Sequence, residues 1–133
     1  MAFEVLHDNT LSDPVGVFVQ ATRVPSDSEI IYVSGLTSRN RDGSVFGAGD
    51  IRAQTRHILE IMVKILAAGG ATMDDVARVT VYITNMADFA AIHEVRREFF
   101  ANTRPASTMV EISRLIEPEM LIEIEAIACV TRS

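Results

Sequence analysis

RPASTMVEISRLIEPEMLIEIEAIACV, residues Arg104 to Val130, decides how this chain folds. Two runs with strand periodicity, Ser107–Ile112 and Leu121–Val130, flank a loop in which Pro118 lacks a backbone donor and so disfavours helix. In the second run, alternation places Ile122, Ile124, Ala126, Ala128 and Val130 on one face and Leu121, Glu123, Glu125, Ile127 and Cys129 on the other. The first face is small and apolar, suited to receiving helices. The second carries two carboxylates in mid-strand, and Ser107, Met109 and Glu111 of the neighbouring strand are expected to share it. A surface of that kind is too apolar to be fully solvated and too charged for a closed core. It fits a subunit interface with a wet pocket in it.

Upstream, Met1–Val15 reads as an irregular arm. Val17–Arg23 and Ile30–Gly35 read as a hairpin around the turn-rich PSDSE. Leu36–Gly49 is a long glycine-containing loop with room for a short strand at Ser44–Phe46, and loops of this length are often functional. Asp50 caps a helix that runs to Ala68 and stops at Gly69-Gly70. Its Ile51, Ile58, Leu59, Ile61, Met62, Ile65 and Leu66 make one wide apolar stripe. Arg78–Ile83 alternates as a half-buried strand. A second helix opens at Asn85 or Asp88, carries Phe89, Ile92, Val95, Phe99 and Phe100 on one side, and ends by Asn102, Thr103 and Pro105.

The order ββ, α, β, α, ββ predicts a single α+β domain over residues 1–133, a five- to six-stranded sheet with two helices on one face. The other face would hold some of Tyr32, Thr80, Tyr82, Met109, Glu111 and Glu123, and no third layer remains to cover it. Self-association is therefore expected. The net charge of −6 disfavours nucleic acid or an anionic membrane as partner. A lone cysteine, Cys129, excludes an internal disulfide and fits a reducing cytoplasm, and no targeting segment or bilayer-spanning run is evident. His7, His57 and His93 share no ligand spacing, so no metal is expected.

The segments GVFVQA, IYVSG, GDIRAQTRHILE, ARVTVYITNMADFAAIHEV and RPAS…VEI…LIEIEAIA resemble the reactive-intermediate deaminase family, RidA or YjgF-like, from about Val15 to Val130. The resemblance implies a chorismate-mutase-like fold and a homotrimer whose sheets pack into a central barrel, with clefts between subunits. It implies hydrolysis of small enamines or imines such as 2-aminoacrylate to 2-oxo acids and ammonia, without metal or cofactor. Older names in the family allude to ribonuclease activity.

Carried over residue by residue, the match is uneven. Family deaminases have Pro-Ala-Arg-Ser, whose arginine grips the substrate carboxylate; here the motif is Pro105-Ala106-Ser107-Thr108, which places the chain in an arginine-less subgroup. Phe18 stands for the usual tyrosine, His93 for a helical asparagine, and Met109 for a cysteine or small residue, while Gln20, Ser34, Gly35 and Glu123 are retained.

Glu123 is the expected catalytic residue, because one half-buried carboxyl can move every proton that enamine hydrolysis requires. The bland alternative is an interface carboxylate paired with arginine, which is the better reading for Glu125. Ser34 and Gly35 could hold a carboxylate or carbonyl oxygen at a turn, or be merely a turn. Ser107 reads as a vestige or cleft wall rather than a nucleophile, having no base. Arg104 could swing towards the cleft, whereas Arg96, Arg97 and Arg114 read as solvated or ion-paired. His93 could act as an acid or base. The substrate-binding set is thus Phe18, Ser34, Gly35, His93, Arg104, Ser107 and Met109. Without the arginine, a 2-aminomuconate-type substrate is favoured over 2-aminoacrylate. A non-catalytic metabolite-binding trimer is the alternative, and a ribonuclease the third reading, disfavoured by the acidic composition.

Overall fold

A computed structural model describes residues 2–131; Met1, the first residue of the expected N-terminal arm, lies outside them. Six strands and two helices follow in the order β1 (Glu4–Leu6), β2 (Ala21–Arg23), β3 (Ser28–Thr37), α1 (Ile51–Ala68), β4 (Val76–Ile83), α2 (Phe89–Phe99), β5 (Ala106–Glu111) and β6 (Ile122–Thr131). The main sheet has the order β3-β6-β4-β5 and β1-β2 forms a separate ribbon, so the six strands are divided four and two. β6 runs antiparallel to both its neighbours, and β4 and β5 are parallel, joined by α2.

Both helices cover one face of the main sheet. Ile58, Leu59, Met62 and Leu66 of α1 and Ile92 and Val95 of α2 pack on Val79, Val81, Ile83, Ile122, Ile124, Ala126 and Ala128, all buried. Ile65, expected in the α1 stripe, is 39% exposed, and buried Gln54 and Thr55 take part of the inner surface instead. Asp50 caps α1 by accepting from Ala53 N–H at 3.1 Å. The helix stops where Gly70, at φ +74°, lets Ala71 N–H reach back to Leu66 C=O at 2.9 Å. At the entry to α2 Asn85 is the capping side chain, accepting from Ala87 N–H, and Asp88 makes no capping bond.

The expected N-terminal hairpin does not form. β2 pairs with β1, so part of the supposedly irregular arm is a strand, and Val19 bridges Ala106 at the free edge of β5. β3 lies at the opposite edge and takes β6 as its partner. Pro25 cannot donate to a ladder, and Ser28 N–H closes a turn on its carbonyl, so the chain crosses between sheet edges there rather than folding straight back. Glu123, Glu125, Ile127 and Cys129 occupy the uncovered face as alternation requires. Phe3 packs on Cys129 and Ala77 at one end of that face, and elsewhere Tyr32 is 78% exposed. The long loop after β3 closes through an Arg39–Val45 bridge, a short pairing at the position expected for a strand at Ser44–Phe46.

Candidate functional site

The residues singled out from sequence fall into two groups on opposite faces of the main sheet. On the uncovered face, Glu123 lies in register with Thr37 of β3 and Tyr82 of β4. The β3–β6 ladder shifts register between Val33 and Leu36, and Ser34 and Gly35 occupy that irregularity, both exposed. There the backbone comes so close to Glu123 that a Cβ on Gly35 would stand 2.1 Å from its Oε2. The Glu123 side chain is half-buried and makes no hydrogen bond or ion pair with any described residue. Glu125, two residues on, accepts from Tyr82 Oη at 2.6 Å, a hydrogen bond in place of the expected ion pair, and this bond raises the Tyr82 phenol above its ordinary value.

The second group lies at the α2–β5 edge. Ser107 and Met109 were expected to share Glu123's face; they point to the helices instead. Ser107 pairs with Val79 and Met109 with Val81, both core residues, and parallel strands in register present their side chains to the same side. Met109 packs against the main core, so its place is structural. Glu111 also faces the helix side, accepting from Met86 N–H at the entry to α2. Phe18 is half-buried on the segment beside β5. Arg104 is exposed and donates from Nη1 to Gly16 C=O at 3.3 Å.

His93 is 3% exposed, with Nδ1 2.9 Å from Phe89 C=O and its ring stacked on Phe89, so Phe89 is a lid on the histidine rather than core. Gly16 adopts φ +127° directly against the ring, where a Cβ would stand 2.2 Å from Nε2. Burial lowers the His93 pKa below its usual 6.5, and Arg96 and Arg97 push the same way, so the ring is neutral at pH 7.

Arg96, read from sequence as a surface residue, is 1% exposed. Its Nη2 donates to Val17 C=O at 3.1 Å and Ser107 Oγ at 3.2 Å, and among the described residues no carboxylate pairs with it. Burial lowers its pKa from the usual guanidinium range to about 10, so it stays charged at neutral pH. The signal was present in the helix itself: His93, Arg96 and Phe100 are spaced i, i+3, i+7, on the side that packs. Gln20 proves structural, its side-chain amide bonding both backbone groups of Asp8. Among the described residues no three His, Cys, Asp or Glu side chains gather as metal ligands. No helix there is long and apolar enough to cross a membrane.

A two-helix α+β domain with one bare sheet face and an unpaired carboxylate on it defines a recognisable class. The chain matches the Endoribonuclease L-PSP family over residues 9–130 and belongs to that family, the RidA/YjgF group. It is 38% identical over 128 residues to a RutC family protein of Pyrococcus abyssi, covering 96% of this chain and 98% of that one. A structure of the Rid protein family member YyfB from Yersinia pestis superposes with a TM-score of 0.89 at 30% identity, covering 98% of this chain and all of the other. Escherichia coli TdcF, solved with bound serine, superposes at a TM-score of 0.70 with 31% identity, covering 98% and 99%.

Proposed function

We propose that this chain is a deaminase that hydrolyses a small acidic enamine or imine, of the 2-aminomuconate rather than the 2-aminoacrylate type, to an oxo acid and ammonia. The sites are clefts between copies of a cytoplasmic homotrimer. The observation that carries this reading is Glu123, a half-buried carboxylate with no partner, poised over a glycine in a register shift of a sheet face with no helix on it. Gly35, having no side chain, lets the Glu123 carboxylate itself lie against the backbone of β3, on a face that no helix covers. That a relative has been solved with bound serine supports a small ligand bearing a carboxylate.

In this mechanism the Glu123 carboxyl gives the enamine a proton at carbon, which makes it an iminium. Glu123 then removes a proton from the attacking water as it adds to the iminium carbon, giving a carbinolamine. The same carboxyl returns that proton to nitrogen, and as ammonia leaves, the carbinol hydroxyl gives its proton back to Glu123, so that the carbonyl of the oxo acid forms and the carboxyl ends as it began. Ser34 and Gly35, in the register shift of β3 beside Glu123, are the groups that would hold the developing oxygen.

The test is ammonia release by purified protein, with 2-aminoacrylate generated in situ and, separately, with enzymatically made 2-aminomuconate. Release from aminomuconate that falls by about 100-fold or more in Glu123→Gln is expected. No release from either substrate by folded wild type would overturn the deaminase and favour the metabolite-binding trimer. Ribonuclease activity, suggested by the family's name, is disfavoured by the net charge of −6.

A further inference from the structure

Arg96 poses a physical question that its fold neighbours do not answer. A guanidinium removed from water without a counter-ion is costly to keep, and proteins keep such charges where something neutralises them. The acids on its own helix do not: Glu94 and Glu98 reach across to Arg52 and Arg56 of α1. The neighbours on the α2–β5 edge are neutral His93 and cationic Arg104. Among the described residues the region therefore has positive charge and no acid paired to it.

Ser107 shows where the compensation would come from. Its Oγ accepts from Arg96, and its own O–H has no acceptor among the described residues. A hydroxyl that accepts from a cation becomes a stronger donor through its remaining proton. Ser107 is half-exposed on the edge strand, whereas Arg96 behind it is sealed. We propose that Ser107 and Arg96 form a carboxylate-binding site, in which the Ser107 hydroxyl touches the ligand and Arg96 supplies the positive charge from behind. Arg96 is thus a positioning residue, and Arg104 stands at the rim. The assignment deepens the deaminase reading, on which it rests for the identity of the anion, by naming the group that takes the substrate's carboxylate.

Isothermal titration of the full chain with pyruvate and with methyl pyruvate tests this, the two probes differing in the carboxylate charge. Wild type is expected to bind pyruvate at least about tenfold more tightly than the ester. Ser107→Ala should abolish that preference and Ser107→Thr should keep it, while Arg96→Met should abolish it if the variant folds. The two serine variants decide the matter even if Arg96→Met does not fold. Equal binding of acid and ester by wild type, or an undiminished preference in Ser107→Ala, overturns the site. Failure of the deaminase reading is told apart by ammonia release: carboxylate preference without turnover keeps the anion site and removes the enzyme, and turnover with an unaltered Ser107→Ala preference does the reverse.

Discussion

Gly35 measures how closely the backbone must approach the reactive carboxylate. Gly35→Ala puts a methyl group where Glu123 Oε2 now lies, and the clash is with the far end of a flexible side chain, so the carboxylate swings away and the strand survives. A displacement on the order of 1 Å at a catalytic group can cost about 100-fold in rate. Gly35→Ala is therefore expected to lose about that much ammonia-release activity with little change in thermal midpoint. His93 makes a pH prediction. Its folded pKa lies below the usual 6.5 because burial disfavours the charged ring, so its contribution to stability is complete above pH 6.5 and is lost as pH falls through the folded value. The unfolding free energy of wild type from urea titrations should fall as pH drops below 6.5, by at most about 1.4 kcal/mol per pH unit from this one group, and His93→Gln should flatten that part of the profile. An identical slope in both proteins would show that other groups carry the acid sensitivity.

At the scale of elements, β6 was legible and β5 was not, for a physical reason. The helix-facing positions of β6 are all apolar, so alternation assigns its faces unambiguously. The helix-facing positions of β5 include Ser107 and Glu111, polar because they serve Arg96 and the backbone of Met86, and polarity there imitates a solvent-facing row. Arg96 escaped for the same reason, since hydrophobic periodicity discards a buried cation. The N-terminal hairpin failed because adjacency in sequence is only a prior, and β3 finds a ten-residue partner in β6. Gln54 was likewise invisible as a core residue, yet it ties three segments together. Its Nε2 donates to Gly47 C=O and Glu119 C=O, and its Oε1 accepts from Leu121 N–H one residue before β6. Replacing it with alanine leaves three part-buried backbone groups without that partner, two of them at the entry to the Glu123 strand. Gln54→Ala is expected to cost about 2–4 kcal/mol in denaturant unfolding.

For the whole molecule, the question is what covers the bare face. Tyr32 is 78% exposed, with Ile30 and Val110 also exposed on the same side of the sheet, around the half-buried carboxylates of Glu123 and Glu125. The groups proposed for catalysis and for carboxylate binding lie on opposite faces of one chain's sheet, so no single copy presents them to one small ligand. A second copy docking its edge against the bare face of the first would unite them, and that makes assembly a condition of activity rather than an accessory to it. Sedimentation equilibrium at micromolar concentration is expected to give three chains of 14.6 kDa each. Tyr32→Glu places a charge in the middle of the face and should shift the protein to monomer while leaving its helical circular dichroism intact. Ammonia release should fall with the trimer in that variant, although Glu123, Ser107 and Arg96 are all untouched. A monomeric Tyr32→Glu that kept wild-type turnover would mean that one chain holds a complete site, and a Tyr32→Glu that remained trimeric would place the interface elsewhere.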